Sequence, residues 1–164
     1  MEFARLVLRT ALFVVLVHGF FLVGVPIFLL SSSAYLFNYP GGIRFLGGVS
    51  ILTGLGVYMA TILDFVRVGQ GTPAVWDSPT VFVTRGPYRW VRNPMYVGMF
   101  LILMGEILFF ASLLLGIYAG ALWLFFNFFV VWYEEPHLRK KFGPAYEAYL
   151  KKVPRWIPKF DKMY

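Results

Sequence analysis

Two short polar stretches in an otherwise apolar chain carry the residues that could do chemistry. The first is RGPYRWVRNPMY at positions 85–96, which combines three arginines, three aromatic residues and two prolines. The second opens with YEEP, where two adjacent carboxylates, Glu134 and Glu135, follow a long hydrophobic run. Guanidinium groups pair with carboxylates, and carboxylates and aromatic faces attract cations. The two stretches could therefore bind a ligand that carries charges of both signs.

The first stretch contains a signal for the start of a helix. Asn93 favours the N-cap position and Pro94 suits the first helical position. A helix that begins here would direct its N–H groups and its positive dipole end towards the polar stretch. Gly86 and Pro87 predict a turn just before it, and TVFVT at 80–84 favours an extended segment.

Simpler explanations exist for the same residues. Asn93 could be a helix cap alone, and Arg89 and Arg92 could anchor the chain to lipid headgroups. Glu134 and Glu135 are expected at the negative dipole end of a membrane helix, close to hydrocarbon, where charge is costly. They therefore need either a bound cation or the three arginines of the first stretch as partners.

The composition indicates a membrane protein. Hydrophobic residues make up 59% of the 164 residues and charged residues only 14%, against about 25% charged residues in soluble domains. The excess apolar surface must face lipid. Because the basic residues flank hydrophobic segments, the net charge of +7 indicates anionic lipid headgroups, and not nucleic acid, as a partner. With no cysteine and only His18 and His137, no metal site is expected.

Hydrophobic segments predict four transmembrane helices, each of which needs about 20 residues to cross a bilayer. They lie at 6–30, 43–65, 96–115 and 117–133. A tight hairpin is expected between the last two, near 114–120. The first segment is too long for the apolar core of a signal peptide, and we expect it to be retained. Gly98 and Gly105, two turns apart, are expected to pack against another helix.

The distribution of charge predicts the orientation. Basic residues are concentrated before the first span, in the loop at 66–94 and in the tail, whereas the other two loops hold little beyond Arg44. By the positive-inside rule both termini and the middle loop are cytoplasmic, in a prokaryotic plasma membrane or the endoplasmic reticulum. The two polar stretches would then meet on one side. In the tail, an apolar face at helical spacing predicts an amphipathic surface helix. This face consists of Phe142, Tyr146, Tyr149 and Leu150.

The predicted fold is an all-α integral membrane protein with about four transmembrane helices, a C-terminal amphipathic helix and a cofactor pocket at the cytosolic interface. Residues 1–164 form one domain, in which 1–66 is an N-terminal helix pair and 67–164 a cofactor-binding core. Such a pocket suits S-adenosylmethionine, because its sulfonium and ammonium attract carboxylates and its carboxylate suits arginine or a helix N-terminus. It would equally suit an anionic lipid.

Five motifs follow one another from the middle loop to the tail. They are GQGTP (69–73), GPYRWVRNPMYVG (86–98), EEPHL (134–138), FGPAYEAY (142–149) and VPRWIP (153–158). In order and spacing they resemble the isoprenylcysteine carboxyl methyltransferase family and its relatives among phospholipid N-methyltransferases. The resemblance implies a membrane enzyme that binds S-adenosylmethionine without a Rossmann domain, which agrees with the absence of a glycine-rich dinucleotide fingerprint from the sequence.

The resemblance also suggests roles for individual residues. On the cofactor it puts Gly86, Pro87, Tyr88, Arg92, Asn93, Pro94, Tyr96, Glu134 and Glu135. On the acceptor side the candidates are Arg139, Tyr146, Tyr149 and Arg155, and the catalytic candidates are Arg155 and Glu135. Many family members have histidine at the position of Asn93, and asparagine cannot titrate, which argues against a general base there. Some members also have more spans than the four expected here.

The expected function is transfer of a methyl group from S-adenosylmethionine to a hydrophobic or lipid-like acceptor that enters from the bilayer, an isoprenylcysteine carboxylate being one candidate. A phospholipid amine is the alternative acceptor, and a reductase-like or scaffold relative is the alternative class. A transporter would need polar residues within several spans, where only His18, Glu106 and Asn127 lie. His18 and Asn127 are expected to be satisfied by neighbouring helices, whereas the intramembrane carboxylate of Glu106 suggests a function.

Overall fold

The computed structural model describes residues 2–32, 40–69 and 81–158. Within these ranges the chain is helical and contains no strand. Helix α1 covers Glu2–Phe13 and continues through π-helical turns at Val14–His18 and Phe20–Gly24 into Val25–Ser32.

Four further α-helices lie in the rest of the described chain. Helix α2 covers Gly41–Asp64 and ends in a π-helical turn at Phe65–Gly69. A 3₁₀ turn at Gly86–Arg89 precedes α3, Pro94–Phe110. Helix α4, Leu113–Phe129, passes through a π-helical turn at Val130–Glu134 into α5, Glu135–Lys152. Helix α5 bends at Gly143, whose φ of 51° and ψ of −128° interrupt the helical backbone.

Three helices are long and apolar enough to cross a membrane. They are Phe3–Ser32, Gly41–Gly69 and the helix that begins at Leu113. Helix α3 is apolar but has 17 residues, which gives about 25 Å at 1.5 Å per residue. A hydrocarbon core is about 30 Å thick. The sequence predicted a longer third span at 96–115, and the structure ends this helix at Phe110.

The hairpin expected between the third and fourth spans is present, but its turn lies earlier than predicted. The turn consists of Ala111 and Ser112, not residues near 114–120. Ala111 adopts a left-handed backbone with φ of 55° and its N–H donates to the Ile107 carbonyl at 2.9 Å. Ser112 Oγ then accepts a hydrogen bond from the Leu115 N–H at 3.4 Å. These two residues end one helix and cap the next without any polar break in the sequence.

Helices α2 and α3 form the closest helix pair, and glycines make this approach possible. A Cβ atom on Gly54 would lie 2.7 Å from the Gly98 carbonyl oxygen, and one on Gly47 would lie 2.8 Å from the Gly105 carbonyl oxygen. The prediction that Gly98 and Gly105 pack against another helix is therefore confirmed. Ser50 Oγ adds a hydrogen bond to the Leu101 carbonyl oxygen at 2.7 Å.

Helix α1 is attached to the other helices through polar contacts. The His18 ring hydrogen-bonds the Tyr58 hydroxyl of α2, so His18 is satisfied by a neighbouring helix as predicted. Tyr118 of α4 donates to the Phe21 carbonyl oxygen at 2.8 Å. The predicted division of the chain into an N-terminal helix pair (1–66) and a cofactor-binding core (67–164) stays a prediction. In the structure, the closest neighbour of α2 is α3.

Candidate functional site

A tight turn brings the first polar stretch back to the end of α2. Gly86 opens this turn with a φ of 58°, a left-handed backbone that favours glycine. A Cβ atom on Gly86 would overlap Asp64 Oδ2. The ring of Tyr88 lies 5.8 Å from that of Phe65. The turn predicted from Gly86 and Pro87 is therefore present and packs on α2.

The start of α3 forms the second part of the site. The helix begins at Pro94, as predicted, but the Asn93 side chain makes no capping hydrogen bond. Its Nδ2 instead donates to the Arg155 carbonyl oxygen at 3.1 Å. The expectation that this side chain caps the helix is therefore wrong: the buried amide holds the tail, and the first turn of α3 keeps N–H groups that the side chain does not satisfy.

Glu135 is the centre of what we call the arginine–glutamate cluster, which consists of Arg92, Glu135 and Arg155. Arg92 Nη1 donates to Glu135 Oε1 at 2.8 Å. Arg155 donates to the same carboxylate through Nε at 2.7 Å and through Nη2 at 3.0 Å. The Glu135 side chain is only 5% exposed, and a buried carboxylate needs such partners. The cluster therefore ties together the starts of α3 and α5 and the tail.

The backbone of the tail also lies against the loop before α3. The Arg92 N–H donates to the Pro154 carbonyl oxygen at 2.8 Å. Trp156 Nε1 donates to Asn127 Oδ1 at 3.0 Å. Asn127 is therefore satisfied, as expected, but by the tail and not by a neighbouring span. The VPRWIP segment thus closes one side of the site.

Glu134 faces an aromatic wall and not an arginine. Tyr96 Oη donates to Glu134 Oε2 at 3.3 Å. The Tyr96 ring lies 4.6 Å from that of Phe126 and 6.3 Å from that of Trp156. None of the ion pairs in the described part of the chain involves Glu134. This carboxylate therefore lies beside aromatic faces with a phenol as its partner.

The two carboxylates do not lie at the end of a helix, contrary to expectation. The π-helical turn at Val130–Glu134 leads directly into α5, and Glu134 has helical backbone angles. Because the helix continues for several turns, the expected dipole penalty does not apply to these residues. The arginines are required by the burial of Glu135, not by a helix terminus.

The apolar face predicted in the tail is buried against the loop. Tyr146 and Tyr149 are 3% and 8% exposed, and both contact the ring of Phe82. Tyr149 Oη donates to the Tyr88 carbonyl oxygen at 2.6 Å. These tyrosines therefore support the turn that carries Tyr88. Arg139, in contrast, pairs with Glu147 at 2.8 Å on an exposed surface of α5.

Electrostatics fix the protonation of two groups in the site. Burial raises the pKa of the Tyr88 phenol well above its ordinary value, and the nearby Glu134 carboxylate raises it further. The hydrogen bond to Glu135 raises the pKa of the Arg155 guanidinium. At neutral pH the site therefore contains a protonated phenol and a fully charged guanidinium.

Sequence reasoning missed Asp64. It occupies the end of α2, and its Oδ2 atom is buried with no hydrogen-bond partner among the described residues. The signal was available, because a carboxylate that ends a hydrophobic run is the pattern that singled out Glu134. Glu106 Oε2 is likewise buried without a partner in the described chain, and its functional role stays a prediction.

The GQGTP motif lies only partly within the described residues. Positions 70–73 are outside them, as is Thr80. Val81 donates its N–H to the Gly69 carbonyl oxygen at 3.3 Å.

The fold and the site define a helical membrane protein whose polar site is built by a loop, a helix start and a C-terminal tail. A family model described as phospholipid methyltransferase matches residues 43–145, from the start of α2 into α5. The chain belongs to this family.

Curated relatives agree with the resemblance found in the motifs, which is thereby confirmed. Three are named Protein-S-isoprenylcysteine O-methyltransferase. The protein from Schizosaccharomyces pombe is 42% identical over 114 residues, 63% of this chain and 45% of the relative. Those from Tribolium castaneum and Xenopus laevis are 38% and 42% identical over 83 residues, 50% of this chain and 29% and 28% of the relatives. The chain therefore spans less than half the length of these relatives.

Proposed function

We propose that this protein is an integral membrane methyltransferase that transfers a methyl group from S-adenosylmethionine to a hydrophobic or lipid-like acceptor, with an isoprenylcysteine carboxylate as the favoured acceptor. The arginine–glutamate cluster carries this proposal, because it joins three segments into one polar site next to apolar helices. The names of the relatives support the choice of acceptor.

The donor set fits S-adenosylmethionine. Glu134 and the ring of Tyr96 offer a carboxylate and an aromatic face to a cation. Arg92 Nε is buried without a partner among the described residues, and the first turn of α3 lacks a side-chain cap. Arg92 Nε and the N–H groups of this first turn can both hold the donor's carboxylate. When bound, S-adenosylmethionine would supply an electrophilic methyl group on its sulfonium sulfur. Gly86, Pro87, Tyr88 and Asn93 complete the proposed donor site.

Arg155 is the residue that we assign to the acceptor carboxylate. Its side chain is 33% exposed, and Glu135 uses two of the five N–H groups of its guanidinium. The remaining groups could hold a second carboxylate in line with the methyl group. Glu135 orients Arg155 and keeps it charged. A carboxylate acceptor needs no general base, which agrees with a non-titrating Asn93. Tyr146, Tyr149 and Arg139 remain candidates for contacts to the rest of the acceptor.

A site at the membrane boundary would let a water-soluble donor and a hydrophobic acceptor meet. We propose that α3 also crosses the membrane, as the third of four spans, that both termini and the middle loop are cytoplasmic, and that α5 lies at the membrane surface. The donor would then arrive from the cytosol and the acceptor from the bilayer. Positioning and the exclusion of water would supply most of the rate enhancement. The membrane is a prokaryotic plasma membrane or the endoplasmic reticulum.

Methyl transfer by the purified protein in detergent tests the proposal. The protein is incubated with S-adenosylmethionine carrying an isotopically labelled methyl group and with N-acetyl-S-farnesylcysteine, and products are identified by mass spectrometry. We expect a base-labile methyl ester. The matched control acceptor carries a carboxamide in place of the carboxylate and should gain no label.

Two further acceptors separate the alternatives. Label on the amine of phosphatidylethanolamine, and none on the prenylcysteine, would favour a phospholipid N-methyltransferase. No transfer to any acceptor, together with no binding of S-adenosylmethionine by calorimetry, would overturn the proposed class. Binding of a nicotinamide cofactor in the same assay would favour a reductase-like relative.

A further inference from the structure

Asp64, at the end of α2, is partly buried. Its Oδ2 atom is buried and accepts no hydrogen bond from any described residue. A buried carboxylate oxygen without a donor destabilises a fold. No described ion pair includes Asp64 either. A carboxylate oxygen in this setting points to a partner outside the described residues.

The chain makes room for this oxygen. Gly86 faces it from the loop, and a Cβ atom on Gly86 would overlap Asp64 Oδ2. Gly86 also has the left-handed φ of 58°, at which any other residue is strained. Both features favour glycine at this position, where Asp64 Oδ2 takes the place of a side chain. The Asp64 carboxylate therefore adjoins the GPY turn of the proposed donor site.

Two carboxylates near the turn have no guanidinium partner among the described residues. Glu135 pairs with Arg92 and Arg155, whereas Glu134 accepts a hydrogen bond from a phenol and Asp64 Oδ2 has no hydrogen-bond partner in the described chain. Both unpaired carboxylates lie near Tyr88: burial raises the pKa of this phenol, and the charges of Glu134 and Asp64 add to the effect. Two carboxylates that flank one tyrosine suit a ligand with two cationic centres.

We propose that Asp64 binds the α-ammonium group of the methyl donor, while Glu134 and the aromatic wall face its sulfonium. The inference rests on the proposed function and adds a residue to its donor site. A sulfonium carries no N–H or O–H and cannot satisfy the Oδ2 acceptor, whereas an ammonium has three donors. Of the donor's two cationic centres, only the ammonium can satisfy Asp64 Oδ2, and unlike the ribose hydroxyls it also carries the charge opposite to that of the carboxylate.

Binding of two thioether analogues of the donor to Asp64→Asn tests this assignment. S-adenosylhomocysteine retains the ammonium and lacks the sulfonium, whereas 5′-methylthioadenosine lacks the whole amino-acid end. By calorimetry in detergent we expect Asp64→Asn to weaken S-adenosylhomocysteine binding by about one to two decades. Binding of 5′-methylthioadenosine should change less than about threefold. The unliganded variant should melt at or above the wild-type temperature, since an unpartnered charge has been removed.

Matched variants and opposite outcomes make the test decisive. Glu147→Gln removes the same charge from an exposed site and should leave both affinities unchanged, whereas Gly86→Ala should displace the Asp64 carboxylate and reproduce the selective loss. Unchanged S-adenosylhomocysteine binding, an equal loss for both ligands, or unfolding of Asp64→Asn would overturn the role of Asp64. Wild-type protein that binds neither ligand would instead overturn the donor assignment itself.

Discussion

Three acidic side chains close to one turn have different surroundings. Glu135 has two arginines, Glu134 has the Tyr96 hydroxyl, and the Oδ2 atom of Asp64 has no hydrogen-bond partner in the described chain. Partners decide what each carboxylate can do, because removal of a paired charge leaves its partners uncompensated, whereas an unpaired carboxylate is available for a ligand. Glu135 is therefore expected to organise the site, and the other two to contact the donor.

Replacement of Glu135 by glutamine should destabilise the unliganded protein. The change keeps the shape but leaves two guanidiniums without their anion, at a cost of about 1.5–3 kcal/mol for a lost charged hydrogen bond. We expect a lower melting temperature in detergent together with weaker donor binding. Glu147→Gln, whose side chain is 52% exposed, serves as the control and should cost about 0–1 kcal/mol. A Glu135→Gln variant as stable as wild type would mean that the cluster has no structural role.

Asn93 offers a test that separates a helix cap from a tie to the tail. Its Nδ2 donates to the Arg155 carbonyl, and a carboxylate cannot donate there. Both Asn93→Ala and Asn93→Asp should therefore lower stability by about 0.5–1.5 kcal/mol, as measured by thermal melting in detergent. Aspartate is as good an N-cap as asparagine, so full recovery of stability with aspartate would identify the side chain as a cap.

Sequence reasoning identified most residues of the site but few of their contacts. The motifs were enough to select Arg92, Glu135 and Arg155, because all three lie in segments that resemble those of the family. The bond from Asn93 to the tail could not be predicted, since it joins positions 62 residues apart and depends on how the tail folds back. The N-cap preference of asparagine predicted correctly where α3 begins, but it predicted the wrong hydrogen-bond partner for the Asn93 side chain.

At the scale of helices, backbone geometry explains where prediction succeeded and where it did not. The glycines of α2 and α3 are visible in the sequence, and close packing follows directly from their missing side chains. The turn between α3 and α4 is not visible, because Ala111 carries no turn signal and takes a left-handed backbone only through its setting. The sequence did not predict that α4 continues into α5, because Glu134 and Glu135 suggested a helix end.

The contact between α2 and α3 predicts opposite effects for two neighbouring glycines. Gly54→Ala would put a Cβ atom 2.7 Å from the Gly98 carbonyl oxygen, and overpacking of this kind costs about 1–3 kcal/mol. Gly56 on the same helix has no atom within 4 Å of such a Cβ, so Gly56→Ala should be neutral or stabilise the helix by up to about 1 kcal/mol. Melting curves in one detergent compare the two variants. Equal effects at both positions would show that the helices do not approach this closely.

At the scale of the whole molecule, α3 is shorter than the three helices that are long enough to span a membrane. Its length decides whether it also crosses. Large apolar side chains cover the outer surface of the long helices; Leu16, Phe28 and Leu52 are 67%, 68% and 71% exposed, as expected for surfaces in contact with lipid. A helix of about 25 Å can still span if the bilayer thins or if flanking residues reach the interface. A crossing α3 would return the chain to the side of the first polar stretch, as the ion pair between Arg92 and Glu135 requires.

Labelling of single cysteines with a membrane-impermeant maleimide in intact cells should decide the topology. The chain has no cysteine, so each introduced thiol is the only target. With four spans and cytoplasmic termini, Ser32→Cys and Leu113→Cys should label from outside, because they follow one and three crossings. Lys152→Cys should label only after permeabilisation. If α3 does not cross, Leu113→Cys would be protected and Lys152→Cys would label. A complete exchange of the pattern, with only Lys152→Cys accessible, would show four spans in the reverse orientation and contradict the positive-inside prediction.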